Sequence, residues 1–595
     1  MVLNSRILII GAGPAGLGAA WRCQELGADW TLLEAAEEPG GLSASFVDPA
    51  GFTWDFGGHV LFSHYEYFDR VMDELLGPEG WLTHVRSAWV YMNGRMIAYP
   101  LQNNIHQLAP ADAAACIDGL EAAAREAASR QAGRPDGTAP AVAAADEAHA
   151  SLRDWFYGRF GRALAELFLI PYNTKQWAHD PAMLSATWVG QRVAPVDAAK
   201  LRRQLAQQGT VEKGTGGKGT GSVSASFAET VPVSVASRSP VPGLRSPATA
   251  GTGTANGAEP VPFAAVPIAA APSGWGPNAR FRFPLRGGTG AVWSECFGRL
   301  DPSRAHLGRE VVGIDADRKQ AICRDGSTWP YDTLISTIPL DTLASITSHS
   351  QADTRHSQAD TCHPQASLPS AWGCELSRDI RTVNPADSPQ RPSNIGKRTA
   401  LGGGRGDVRG LSDLAGRLKY SSTNVVGLGF DGPLPEALAG RNWIYFPYDD
   451  VPCYRATVFS NYSPHNTPPG RQCWSLMCEV SQSPYKPVDV ASLPGQLLMG
   501  LRNCGLLAGL GEPASIWQAH RRHGYPIPTL DRDAILAEIH AQLEAMSILS
   551  RGRFGGWKYE VGNMDHCFMQ GLEAVDRIIR GKDERTYPFP DKVNT

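Results

Sequence analysis

The sequence predicts an α/β protein in which a doubly wound nucleotide-binding domain is interrupted by a helical domain and completed by an antiparallel sheet. Three observations carry that prediction. A strand, a glycine turn, a helix and a second strand follow one another in residues 6–34; alanine-rich helical text fills about 107–205; and short β-branched and aromatic runs between turn signals dominate after 411.

Residues 6–34 read RILIIGAGPAGLGAAWRCQELGADWTLLE, a buried strand run, a turn, a small-residue helix and a strand ending in an acid. Gly11, Gly13 and Gly16 fit GxGxxG: the first allows the tight turn, the second the close approach of a pyrophosphate, the third tight packing of helix on strand. The helix start offers unpaired N–H groups and its positive end to the phosphates. Glu34 is placed to hydrogen-bond an adenosine ribose. A second glycine turn, EPGGLSAS at 38–45, follows and contributes Gly41. In this it resembles the flavoproteins of the glutathione-reductase-like superfamily, which implies FAD as the dinucleotide and a FAD-binding Rossmann-like domain as its fold.

The next stretch, TWDFGGHVLFSHYEYFD at 53–69, sets Gly57 and Gly58 directly before His59 in otherwise bulky, aromatic text. Two glycines there give up packing and backbone order, so something must need the space. The helical domain is expected at 101–205, and the antiparallel-sheet substrate region at 87–100 and 411–535. The FAD-binding domain takes the remaining ordered text, 1–86, 275–346 and 536–595. Residues 209–274 and 347–410 are rich in Gly, Ser, Thr, Ala and Pro, lack a sustained apolar period, and read as flexible low-complexity insertions. The second contains the sevenfold repeat HSQADTR HSQADTC HPQA. Without apolar a and d positions it is no coiled coil, and His349, His356 and His363 read as polar filler, so no metal is expected. The final segment, RFGGWKYEVGNMDHCFMQGLEAVDRIIRG, is a glycine-rich turn entering an amphipathic helix capped by Asn563 or Asp565. A helix start beside a flavin pyrimidine would stabilise negative charge on the reduced ring.

Composition bounds the function. With 43% apolar and 19% charged residues over 595 positions, the chain is globular with a substantial core. A net charge of −4 supplies no basic field, so nucleic acid is not an expected partner. Eleven cysteines without a CxxC pair read as free thiols in a reducing compartment. No apolar run reaches ~18–20 residues and no signal-peptide pattern opens the chain, so a soluble, cytoplasmic protein without membrane attachment is expected.

Eight stretches then give a specific resemblance: GGHVLFSHYEYFD, AYPLQNN, PYNTKQWA, WVGQRVA, WGPNARFRFPLRGGTGAVW, NWIYFPYDDVPCYRATVFSNYSPHN, HGYPIPTLDRD and SRGRFGGWKYEVGNMDHCFM. Spread along the chain and leaving out mainly the two insertions, they resemble the eukaryotic-type UDP-galactopyranose mutases. The resemblance implies interconversion of UDP-galactopyranose and UDP-galactofuranose by covalent catalysis through N5 of reduced, non-covalently bound FAD, without net redox change. It also implies galactofuranose supply for surface glycans, and is compatible with a homo-oligomer.

Residue by residue, the resemblance places His59 near the flavin and Gly57 and Gly58 against its ring. Arg192 and Arg455 match diphosphate-binding arginines, and Tyr445, Tyr525 and Tyr559 match hydroxyl donors to the same group. Tyr99 and Gln102 match uridine contacts, with Phe62 as apolar wall. Asn173 and Trp177 fall at the nucleotide, Trp443 and Arg553 near sugar and flavin, Asn563 at the flavin, and Asn278 on a flap over the substrate. Ala88 stands where a serine is usual and Met564 where a glutamine is common. The resemblance further implies NADPH as reductant. With no second strand–GxGxxG–helix unit to bind it, NADPH would share the substrate cleft, and UDP would compete with it. A flavin amine oxidase-like oxidoreductase is the alternative enzyme and a non-catalytic flavoprotein the alternative class. Arginines and tyrosines arranged for a diphosphate speak against both.

Overall fold

The structure, a computed structural model, describes residues 5–132, 151–189, 193–214, 278–348 and 410–594. Arg192, the histidine repeat and most of the two low-complexity insertions lie outside the described residues.

The four residues Ile7–Ile10 are all buried, as a strand covered on both faces requires. They lie at the centre of a five-stranded parallel sheet ordered Ile548–Ser550, Thr333–Ser336, Ile7–Ile10, Trp30–Leu33, Ala305–His306. The helix Pro14–Leu26 leaves the glycine turn with Pro14 in its first turn and stops at Gly27, whose φ of 63° is the left-handed closure favoured by glycine. It packs on the last long helix, Met564–Arg580, so closely that a Cβ on Gly18 would stand 2.1 Å from the Phe568 carbonyl oxygen. One on Gly571 would stand 1.9 Å from that of Ala15.

The alanine-rich text forms the helices Pro110–Ala132, Leu152–Leu164, Ile170–Trp177 and Ala198–Gly214. Ile117, Phe156, Phe160, Leu164 and Phe168 join Val90 and Leu101 in one apolar cluster. The last of these helices runs to Gly214, beyond residue 209 where flexible text was expected to begin. Its start is dense in good helix formers, AAKLRRQLAQQ, and Leu201 buries the anchoring turn.

The β-branched runs after 411 build a seven-stranded sheet ordered Ser515–Pro526, Tyr420–Asp431, Cys473–Gln482, Arg455–Val458, Trp443–Tyr445, Ala88–Met92, Arg95–Ala98. Neighbours are antiparallel except Trp443–Tyr445 with Ala88–Met92, where the sheet's two chain segments meet in parallel. The register sets Arg455 opposite both Tyr445 and Glu479, and Trp443 opposite Thr457. One face packs on Leu497 and Leu501; the other receives Phe52, Trp54, Phe281 and Phe283. A long-range antiparallel pair, Trp81–Val85 with Arg280–Pro284, brings Asn278 beside Arg86. Among the described residues no helix is long and apolar enough to cross a membrane.

Candidate active site

The glycine turn after the first strand divides its labour. Gly11 has φ +100°, and a Cβ there would meet Thr337 Oγ1 at 2.3 Å; on Gly16 it would meet the Gly11 carbonyl oxygen at 1.8 Å. These two glycines serve the fold. At Gly13 the nearest atom to such a Cβ is Gly40 O, 4.0 Å away, so the backbone there faces open space. Gly41 (φ +55°) stands across the turn from it. Glu34 accepts from Ala12 N at 2.6 Å and Ala36 N at 2.9 Å, which fixes its carboxylate at the turn.

Beyond Gly41 the chain enters a cavity of about 380 Å³ lined by the parallel-sheet region, the seven-stranded sheet and the helical region. Gly57, Gly58, His59 and Phe62 form one wall. Two residues earlier, Asp55 is fully buried and accepts from Ser45 Oγ at 2.5 Å and Thr289 Oγ1 at 2.6 Å. Burial pushes its carboxyl up to about 7, the hydroxyl and backbone donors opposing this.

Glu479 organises the sheet side. It is 2% exposed, accepts from Arg455 Nε at 2.9 Å and Nη2 at 2.8 Å, from Tyr454 Oη at 2.5 Å, and from the Gly58 backbone N–H at 2.8 Å. Tyr454 Oη lies 3.0 Å from Tyr525 Oη. A Cβ on Gly58 would lie 2.6 Å from Thr457 Oγ1 and 3.1 Å from Trp443 Nε1. The space that this glycine frees is therefore taken by the sheet's side chains, which press the segment before His59 from behind. Burial opposes the Arg455 charge, but Glu479 and neighbouring tyrosines hold its pKa well above the ordinary arginine value. Burial raises Tyr445, Tyr454 and Tyr525, so each presents a protonated hydroxyl. For His59, burial lowers the pKa to about 4 despite Glu479, and Arg455 and Arg553 lower it further; the ring is neutral at physiological pH. Its partly exposed edge meets the cavity, while Nδ1 is buried without a partner.

On the helical side Tyr99 and Tyr172 flank Tyr445, with ring centroids 5.2 and 5.5 Å away, and Gln102 and Asn173 complete that wall. Trp177 does not line the cavity: it is fully buried, donates from Nε1 to Asn173 Oδ1 at 3.1 Å, and packs edge-on against Tyr525 and Tyr559. This corrects its expected place among direct contacts: one turn on from Asn173 on the same helix face, the indole is covered by Tyr525 and Tyr559. Asn278 is in the wall, bonded by Arg86 Nη1, whose guanidinium also lies 5.2 Å over the Tyr99 ring. Arg553 donates to the carbonyls of Gly524 and Gly562, beneath the rings of Tyr525 and Tyr559. Asn563 starts the last helix without a side-chain capping bond and faces the cavity with Met564. Among the described residues four arginines, Arg86, Arg455, Arg521 and Arg553, share this wall with two carboxylates, Glu479 and Asp565.

A family model of an NAD(P)-binding Rossmann-like domain matches residues 9–75. The solved structure of a reduced UDP-galactopyranose mutase aligns with 100% of this chain and 98% of its own, at 34% identity and a TM-score of 0.73. The chain belongs to the UDP-galactopyranose mutase family. In fold alone it is also similar to a putrescine oxidase double mutant (12% identity, TM-score 0.56, 97% of this chain and 99% of that one). A fatty acid isomerase from P. acnes is similar at the same level (12% identity, TM-score 0.53, 97% and 100%). The expected Rossmann-like α/β class is the observed one.

As a UDP-galactopyranose mutase family member, the chain has residues that fit a flavin dinucleotide. The open space at Gly13 suits a pyrophosphate, and the buried, unpartnered His59 Nδ1 suits a ligand rich in polar atoms. Met564 adds apolar surface to the cavity wall, whereas Ala88, 4% exposed in its strand, does not line it. Sequence reading missed Glu479, Tyr454, Tyr172 and Arg86. Glu479 carried a signal, since a lone acid inside CWSLMCEVS must find partners once buried.

Proposed function

We propose that the chain interconverts UDP-galactopyranose and UDP-galactofuranose, acting as an isomerase of the cytoplasm that supplies galactofuranose for surface glycans. One observation carries the reading: in a chain of this family, a cation-rich cavity with buried tyrosine hydroxyls adjoins the dinucleotide turn. FAD, held by Gly11, Gly13, Gly16, Glu34, Gly41, Gly57, Gly58, Arg553 and Asn563, supplies when reduced a nucleophilic N5 for covalent catalysis without net redox change. Arg455 and the hydroxyls of Tyr445, Tyr525 and Tyr559 receive the diphosphate as negative charge builds on it, with Arg192 as the second arginine. Glu479 holds the Arg455 fork in place before substrate arrives, so little reorganisation remains at the moment of reaction. Tyr99, Gln102 and Asn173 hold the uracil and ribose, Phe62 and Trp443 exclude water around the sugar, and Asn278 closes over it. His59, being neutral, positions by hydrogen bond. A cationic amine would be repelled by the same arginines, which weighs against the oxidase alternative.

The test is chromatographic. Flavin-loaded protein incubated with UDP-galactofuranose should yield UDP-galactopyranose under dithionite and none without it. Absence of product in the reduced, flavin-loaded sample would sink the reading. NADPH is the proposed physiological reductant, sharing the substrate cleft; UDP should inhibit flavin reduction competitively, and noncompetitive inhibition refutes a shared cleft.

A further inference from the structure

Arg521 is the unusual cation of the cavity wall. It projects from the strand Ser515–Pro526, and its guanidinium carbon lies 3.3 Å from the ring centroid of Phe56, the residue before Gly57. The Phe56 ring is in turn backed by Trp517, centroid to centroid 6.2 Å. Arg455 has Glu479, but among the described residues no carboxylate pairs with Arg521; its guanidinium donates only to the carbonyl of its neighbour His520, at 3.2 Å. Burial draws its pKa down to about 10, leaving it charged at neutral pH. Holding a half-buried guanidinium without an acid carries a desolvation cost that an arriving anion offsets.

The neighbours indicate which anion. Arg521 shares the cavity wall with Leu42 and Ser43, next after Gly41, and with Gly57 and Gly58. Phe56 leads directly into Gly57 and Gly58, so Arg521 meets that loop from the Phe56 side, whereas Arg455 and Glu479 meet it at Gly58. We propose that Arg521 is the counter-cation for the negative charge that bound flavin acquires on reduction, stabilising the reduced over the oxidised cofactor. Phe56 holds the guanidinium plane flat and in register for that task. The two electrons come from dithionite or NADPH; Arg521 shifts only the equilibrium they reach. The inference rests on the FAD reading above.

It is tested without any sugar nucleotide, by dye-equilibrated reduction of the flavin-loaded protein and its R521M, R521Q and R521K variants. At a fixed solution potential the reduced-to-oxidised ratio should fall on the order of tenfold in R521M and R521Q. R521K, which keeps the charge, should stay closer to the wild type. A wild-type ratio in either neutral variant overturns the proposal. Loss of the oxidised flavin from the neutral variants also overturns it, since the contact would then serve cofactor binding in either redox state. Because potential and turnover are read separately, failure of the mutase assay leaves this result standing, whereas a wild type that binds no FAD removes both.

Discussion

At the turn Gly11–Gly16 the groups aimed at a ligand are backbone, brought close by the absence of side chains; in the adjoining cavity they are side chains, held apart by one another. The turn is local and needs one strand and one helix. The cavity takes Arg455 from one strand, Glu479 from the next and Tyr525 from a third, linked by hydrogen bonds through Glu479 and Tyr454. Backbone recognition therefore tolerates change everywhere except at contact, whereas side-chain recognition fails by loss of a partner.

Glu479→Ala should break the cavity most severely. It strands Arg455 without a counter-charge and frees the Gly58 N–H, so stability should fall by about 3–5 kcal/mol and turnover by on the order of a hundredfold or more. Urea unfolding and product formation read the two effects; a change under about 1 kcal/mol in the first would show that Glu479 is not the organising partner.

Gly16→Ala tests the turn at its tightest point. A Cβ 1.8 Å from the Gly11 carbonyl oxygen forces strand and helix apart, costing about 1–3 kcal/mol in the cofactor-free protein, measured by denaturant midpoint. A neutral result would mean that the turn is not fixed by close packing.

Asp55, between the two regions, supplies a pH test. In the folded chain it keeps its proton to about 7, in the unfolded chain it loses it near 3.8. Between those values the folded state binds more protons, so this contribution to stability is complete below the lower value and lost as pH rises to 7. His59 acts oppositely: its folded value near 4 lies below 6.5, so its contribution is present above 6.5 and lost as pH falls to 4. The stability of wild type minus that of Asp55→Asn should decline from pH 4 to 7, and that of wild type minus His59→Asn should rise. Parallel slopes would contradict the opposed environments.

Gly13→Ala is the mildest change. With nothing closer than 4.0 Å, the added methyl should leave the unfolding midpoint unmoved while weakening flavin affinity about tenfold, read by fluorescence of released flavin. A lowered midpoint would place Gly13 with Gly16, in the fold rather than at the ligand.

These differences also explain what could be read before the structure. The turn was legible because each glycine has a fixed duty at fixed spacing within ~30 residues. Strands such as YRATVF and CWSLMCEVS were legible from their residue types, but their register was not, and register alone puts Glu479 against Arg455. Trp177 was misplaced because, although it shares a helix face with Asn173, the motif does not show that Tyr525 and Tyr559 from distant segments cover its indole. The Gly57–Gly58 pair announced a close approach, yet half of what approaches, Thr457 and Trp443, lies some four hundred residues on in the chain.

The contact between the helices Pro14–Leu26 and Met564–Arg580 sets a timetable for making the protein. The glycine turn leaves the ribosome well before the strand Thr333–Ser336 that flanks Ile7–Ile10, and longer still before the helix that seats against Gly18. At ~5–20 residues per second the wait is roughly half a minute to two minutes, during which an apolar strand sits exposed on a growing chain. Translation that stops before Met564 releases a fragment with a complete nucleotide signature and no seat for it, a substrate for chaperones and proteases.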